Sequence, residues 1–192
     1  MGSEIDRPLV LALKRGQAAA FDAIYAAHRH SLYSYLVRLT GRKDLAEDLF
    51  QETWIRLATN AARLEDDTHL AAWLFTVAHN QYRSQQRAAR VDGARQDGAR
   101  EASAAALPSP AELLGLSEAE RHLEMAIERL SPAHREVLLL VAVEGLAQDE
   151  IAQVLGIEHA AVRQRLTRAR AKLSEELDAI EMGSVKSKEA SR

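Results

Sequence analysis

The chain has 192 residues, of which 47% are apolar, carries a formal net charge of -3, and contains no cysteine. That length supports one or two small cores, and ordinary domain size favours two compact halves. Without cysteine there is no disulfide framework and no thiolate metal site, which fits a reducing compartment. No apolar run reaches the roughly eighteen residues of a membrane span, and the opening MGSEIDRP lacks the basic-then-apolar order of a signal peptide, so a cytoplasmic protein is expected.

Every strong periodicity is helical. Phe21, Ile24, Tyr25, His28, Leu32, Tyr35, Leu36 and Leu39 recur at three- and four-residue spacing, laying one buried stripe along a long helix that stops at Gly41. Asp44, with Glu47 three residues on, has the pattern of a capping box for a second helix over 45–59, whose apolar side is Leu45, Leu49, Thr53 and Leu57. A polar loop over 60–68 precedes a third helix from about His69. It buries Leu70, Trp73, Leu74 and Val77 and turns cationic through Tyr82-Arg83-Ser84-Gln85-Gln86-Arg87.

The stretch 91–116 shifts to Ala, Gly, Asp, Arg, Ser and Pro without an apolar stripe and reads as a linker. Ser117 and Glu120 form a second capping box, opening a helix that buries Leu123, Ile127 and Leu130. Ser131-Pro132 is an N-cap followed by proline at the first helical position, and that helix is expected to run to Glu144 before Gly145. Two short helices follow, and 182–192 reads as a frayed, disordered tail. The expected architecture is all-α, with helical domains over 1–90 and 117–181 joined by the flexible linker 91–116.

In QDEIAQVLGIEHAAVRQRLT, small Ala152 stands four residues before Gly156, and Val162 stands six after it. A helix-turn-helix needs this order. The small residue lets two helices approach, the glycine adopts a left-handed turn at low cost, and the branched residue anchors the second helix. At 100° per residue Val162, Leu166, Ala169 and Leu173 share one buried stripe. Gln164 and Thr167 point away from it, with Arg163 and Arg170 on one flank and Arg165, Arg168 and Lys172 on the other. His159 to Leu173 holds five cations and no carboxylate. A solvated helix end normally mixes both signs, so the pattern favours nucleic acid, with cations on phosphates and slim polar side chains on base edges.

Charge is distributed by region. Residues 44–67 carry seven acids against two arginines, and 83–100 carry five arginines against two acids. Two basic segments suggest two contacts with a polyanion, and the acidic one a different partner.

With these features the chain resembles an extracytoplasmic-function (ECF) sigma factor of the sigma-70 family, the compact two-domain class of bacterial transcription initiation factor. DLAEDLFQETWIRL (44–57) and AAWLFTVAHNQYRSQQR (71–87) resemble the family's second sigma domain. LSPAHREVLLLVAVEGLAQDEIAQVLGIEHAAVRQRLTRARAKL (130–173) resembles its fourth. The resemblance implies that the acidic helix docks on the clamp helices of core RNA polymerase through Asp48, Gln51, Glu52 and Arg56, whereas Asp44 and Glu47 only cap it. It implies that the loop 60–68 and the next helix open the -10 promoter element, with Asn80, Tyr82, Arg83 and Arg87 as contacts. A flipped base costs a few kcal/mol, which a pocket and backbone cations must offset. Trp73 is read as core packing, and Phe75 stays open between stacking and packing. Arg163, Gln164, Thr167 and Arg168 correspond to readers of the -35 element, and Arg165 and Arg170 to phosphate contacts. The sequence departs from the family at Ala147, where a Ser or Thr cap is common, and at Ala161, where Thr is common, which places a phosphate contact at 161 in doubt.

The resemblance further implies promoter DNA and an anti-sigma factor as partners, with no cofactor. A sigma-factor mimic that sequesters an anti-sigma factor is the alternative, and the intact arginine array speaks against it. Enzyme activity is not expected. The seven histidines are scattered, and the chain has no HExxH, no ExxH pair, no phosphate-cradling glycine loop and no G-x-S-x-G. His28 and His30 face different sides of their helix.

Overall fold

The computed structural model describes residues 2–95, 117–143 and 146–190, and among them every regular element is helical. The elements are α1 (Gly2–Lys14), α2 (Ala18–Thr40), α3 (Lys43–Asn60), a 3-10 turn (Ala61–Arg63), α4 (Leu70–Arg95), α5 (Glu118–Arg129), α6 (Pro132–Val141), α7 (Gln148–Leu155) and α8 (His159–Ala190).

In the first half, α2 ends where Gly41 turns left-handed at φ 63° and donates its N–H to the Val37 carbonyl, the αL stop anticipated from sequence. The stripe of α2 closes on α3 and α4 around Ile24, Leu32, Leu36, Leu49, Leu57, Leu70, Leu74 and Phe75, all buried. Each such leucine, fully removed from water, stabilises by roughly 1.5–3 kcal/mol. An aromatic group between α2 and α3 extends this core: Tyr25 meets Trp54 edge-on at 4.9 Å between ring centroids, and Phe21 meets it at 5.9 Å. The sequence reading did not include α1, which buries Val10 and Leu13 and sends Asp6 to the start of α4. There the Leu70 N–H donates to Asp6 Oδ2 at 2.8 Å, so a remote carboxylate satisfies one of the orphan donors of α4.

In the second half the Ser117 box forms in full: the Glu120 N–H donates to Ser117 Oγ at 3.2 Å, and the Ser117 N–H to Glu120 Oε2 at 2.8 Å. The last carbonyls of α5 are taken by buried Arg135 of α6, which donates to the Ile127 oxygen at 3.2 Å and the Leu130 oxygen at 3.3 Å. α8 runs past α5, α6 and α7 and seals the core with Val162, Leu166 and Ala169.

Several expectations change. Asp44 is not the N-cap: α3 starts at Lys43 with Arg42 in that position, and the Asp44 carboxylate is held chiefly by the Arg42 guanidinium. α4 continues to Arg95, beyond the expected boundary at 90. Leu123 is 40% exposed, because α5 is amphipathic enough to seat on Ala126, Ile127 and Leu130 without it. α6 ends at Val141, and Glu144 and Gly145 lie outside the described residues, as do 96–116 of the expected linker. Ser131 forms no side-chain cap, although Pro132 does open its helix. The last helix is long: α8 extends to Ala190 through most of the segment expected to fray.

The two halves are packed together, α4 against α7 and α2 against α6. Arg38 of α2 forks onto Glu124 of α5, with Nε 3.0 Å from Oε1 and 3.1 Å from Oε2.

Candidate nucleic-acid interface

The helix-turn-helix is made by α7 and α8. Gly156 sits at φ 64°, and its N–H caps the end of α7 at the carbonyls of Ala152 and Gln153, the left-handed turn expected at this position. Ala147 offers no side-chain acceptor, so only half a capping box remains, in which the Ala147 N–H donates to Glu150 Oε2 at 2.8 Å. Ala152, Val162 and Leu166 are buried as predicted.

Opposite that buried stripe, Arg163, Gln164, Thr167, Arg168 and Arg170 are exposed on one side of α8. The hydroxyl of Thr167 donates back to the Arg163 carbonyl at 3.0 Å, which leaves lone pairs on its oxygen to accept. Arg165 departs from the group. It is half-buried, and its cation favours the charged form of the nearby Glu136 carboxylate. Lys172 is engaged by its own helix, at 3.1 Å from Glu175 and 3.3 Å from Glu176.

On α4 the helical phase divides the expected -10 contacts. Trp73, Asn80 and Arg87 recur every seven residues and share one sector; Asn80 and Arg87 are exposed, and Trp73 is partly buried against the core. Tyr82 lies on the other side, buried, with its hydroxyl accepting from Gln86 Nε2 at 2.9 Å. Phe75 belongs to the core: it is buried and meets Tyr35 edge-on at 5.1 Å. Arg83 is exposed at its helix but reaches across to α7, where Nη1 donates to the Leu155 carbonyl at 3.4 Å. One turn before it, His79 is 1% exposed and its Nδ1 is 3.1 Å from the Tyr35 hydroxyl. Burial, with the nearby Arg83 cation, lowers the pKa of His79 to about 4, so its ring is neutral at pH 7.

The acidic helix α3 shows a third face. Asp48 and Gln51 are exposed, and Glu52 accepts from Arg56 Nε at 2.8 Å. Ile55 is 55% exposed between them on the same side, an apolar residue that the charge count did not single out. An acidic rim around an exposed isoleucine suits a protein partner better than a polyanion.

Sequence reasoning missed the side chains that join the halves. His69 Nδ1 contacts Glu150 Oε1, and its Nε2 lies 3.8 Å from Asp6 Oδ2. Glu136 of α6 is half-buried among Tyr35, Arg83 and Arg165; burial raises its pKa, and the two arginines oppose that shift. Among the described residues no cluster of histidines and carboxylates is arranged for a metal ion, and no helix is long and apolar enough to cross a membrane.

Comparison with known proteins matches two regions of the chain. Residues 24–91 match the family model of sigma-70 region 2, and residues 121–173 match that of sigma-70 region 4. The chain is 36% identical over 168 residues to the RNA polymerase sigma factor CarQ of Myxococcus xanthus, covering 87% of this chain and 94% of that protein. It is 32% identical over 144 residues to the ECF RNA polymerase sigma factor EcfG of Rhodopseudomonas palustris, covering 75% of this chain and 77% of that one. Among solved structures, the sigma factor RpoE of Bartonella quintana, in complex with the anti-sigma factor NepR, superposes with a TM-score of 0.70 at 27% identity, over 82% of this chain and 96% of that chain.

Proposed function

Since the chain belongs to the sigma-70 family, as an RNA polymerase sigma factor of the ECF class, we propose that it binds core polymerase through α3, reads a -35 element with α8 and opens a -10 element with α4. The observation that carries this reading is the exposed side of α8, where Arg163, Gln164, Thr167, Arg168 and Arg170 stand together opposite buried Val162, Leu166 and Ala169, with Leu173 partly buried.

The face has the layout of a major-groove reader. Arginine can pair bidentately with guanine O6 and N7, each pair contributing roughly 1–3 kcal/mol of discrimination, while neighbouring cations fix register on the phosphates. On α4, partly buried Trp73 shares a sector with exposed Asn80 and Arg87, which suits an unstacked base and its backbone. Tyr82 supports that surface from beneath. On α3, Asp48, Gln51 and Glu52 surround Ile55 and supply a charge-complementary surface for a basic partner on the polymerase. The protein thus contributes specificity and strand opening, and bond formation is left to the polymerase. It acts in the cytoplasm, where its polymerase and promoter are. Because a relative forms a complex with an anti-sigma factor, a protein inhibitor of the same kind is proposed for this chain.

Core polymerase reconstituted with the protein should select promoter sequences from a random library and yield run-off transcripts from the selected promoter. Failure to initiate from any sequence, with retained binding to an anti-sigma factor, would replace this reading with that of a mimic.

A further inference from the structure

α1 lies outside residues 24–91, which match sigma-70 region 2, yet it grips the loop 60–68, expected to open the -10 element, at two points. The helix is seated by Val10 and Leu13, both buried, and packs against α2, the 3-10 turn and α4.

The loop is a small unit with fixed ends and an exposed tip. Leu64 and Leu70 are buried on either side of the tip. Between them the N–H and the hydroxyl of Thr68 both donate to the Glu65 carbonyl, at 3.0 and 2.7 Å, which closes a tight turn over 65–68. Glu65, Asp66 and Asp67 are exposed there, and three successive carboxylates repel a DNA strand unless their charge is offset. Packing alone does not fix where the turn points. An open cleft of about 460 Å³ lies beside its base, lined by Leu13, Phe21, Ala58, Ala61 and Ala62.

Two side chains of α1 supply the missing constraint. At the tip, Lys14 Nζ donates to Asp66 Oδ1 at 2.5 Å. That bond and the Lys14 charge, with a smaller contribution from Arg7, hold the Asp66 carboxyl below its ordinary range. At the other end, buried Asp6 accepts the Leu70 N–H at 2.8 Å and lies 3.8 Å from His69 Nε2. The Thr68 hydroxyl is committed to the Glu65 carbonyl, so α4 takes its capping oxygen from α1.

On the reading that the chain is a promoter-opening sigma factor, we infer that Lys14 and Asp6 are positioning residues for strand opening: α1 holds the loop 60–68 in the orientation that receives the unstacked -10 base and offsets one carboxylate at its tip. Neither residue touches the DNA; both act through the loop. The ion pair is exposed, 28% at Lys14 and 50% at Asp66, so it adds little to the stability of the fold. Its effect falls on the rate of opening, because a turn that must first be reoriented adds that step to the barrier.

Two measurements on the full chain separate this role from the function it rests on. In the protein alone, a nitroxide on Asp67→Cys, in a chain with no other cysteine, reports the mobility of the tip by electron paramagnetic resonance. In reconstituted holoenzyme, a fluorescent base analogue in the -10 element of a promoter selected with the unaltered protein reports opening as a function of polymerase concentration. That dependence separates closed-complex binding from opening itself. Lys14→Glu should sharpen the nitroxide spectrum and slow opening by about fivefold, the rate equivalent of a strong exposed ion pair. Closed-complex binding and thermal unfolding should not change. Lys14→Arg should behave as the unaltered protein, and the exchange Lys14→Glu with Asp66→Lys should restore both readouts. Asp6→Asn keeps an oxygen for the Leu70 N–H and should open promoters at the unaltered rate, whereas Asp6→Ala should open them more slowly. An unchanged spectrum or an unchanged opening rate in Lys14→Glu would overturn the inference, as would slowing that the exchange does not restore. Slow opening by both Asp6 variants, or by neither, would remove Asp6 from the role. Failure of the unaltered protein to open any promoter counts against the sigma function itself, and the spectra alone then decide whether α1 holds the loop.

Discussion

His79 makes a prediction whose size follows from its surroundings. Its ring is buried between Tyr35 and the approach of Arg83, and its pKa falls from 6.5 to about 4. In the unfolded chain the imidazole regains its ordinary value, so between those limits the unfolded state binds more protons than the folded one. Stability therefore rises with pH through that window and is lost as pH falls below about 6.5. From pH 7 to pH 5 the loss from this group amounts to about 2 kcal/mol, with no discount for solvent screening because the side chain is 1% exposed. Glu128 acts in the opposite direction: burial raises its carboxyl to about 7, so it favours the fold as pH drops. Comparison with His79→Gln, which keeps a polar partner for the Tyr35 hydroxyl, cancels that opposing effect. Urea unfolding followed by the fluorescence of Trp54 and Trp73, both in the half that contains His79, should show the unaltered protein losing about 2 kcal/mol more than the variant between pH 7 and pH 5. Parallel pH dependences in the two proteins would refute the account of a neutral buried imidazole.

Other expectations are more direct. Arg163→Ala should relax base preference at one -35 position at a cost of roughly 1–3 kcal/mol to the preferred sequence; in a binding assay across -35 variants, an equal loss on all of them would reassign Arg163 to a phosphate. Asp48→Arg should abolish assembly with core polymerase in size-exclusion chromatography while leaving the helical circular dichroism unchanged, because Asp48 is exposed. Gly156→Ala should destabilise the protein by roughly 1–2 kcal/mol in thermal unfolding, from the left-handed backbone at φ 64° and not from crowding, since the built Cβ has 4.0 Å of room.

The elements legible in the sequence were those whose cause is local. The stop at Gly41, the box at Ser117 and Glu120, and the turn at Gly156 each depend on a few adjacent residues and formed as read. The stripe of α8 follows from spacing alone. Where the reading failed, a competing partner lay nearby or far off. Asp44 had the right spacing for a cap, but the helix begins one residue earlier, at Lys43, and the guanidinium of Arg42 makes the larger, charge-assisted claim on its carboxylate. Tyr82 sits among polar and cationic neighbours in sequence, yet helical phase carries it to the buried side, a consequence visible only once the neighbours of α4 are fixed. Arg165 was grouped with the phosphate contacts from its charge alone, whereas its partial burial and its electrostatic influence on Glu136, 29 positions earlier in the chain, were not visible in that count.

The contacts between the halves had no local signal at all. Arg38 and Glu124 are separated by 86 positions, His69 and Glu150 by 81, and Arg83 and Leu155 by 72. No periodicity spans those intervals, and each residue has an adequate local explanation as a helix-surface charge. The same ambiguity lets one side chain suit two partners. A cation on α4 that is suited to a DNA phosphate is suited equally to the carbonyl pole of a helix, since both present concentrated negative charge to the same donors. Arg83 is thus suited to the proposed contact with promoter DNA, and the packing of the halves engages one of the same donors. Arg38 and Glu124 have no such second use on the proposed DNA or polymerase faces. Their bidentate geometry is the part of the structure most specifically explained by the packing of the halves, and charge exchange at that pair is accordingly the sharpest measure of whether that packing is a property of the protein in solution.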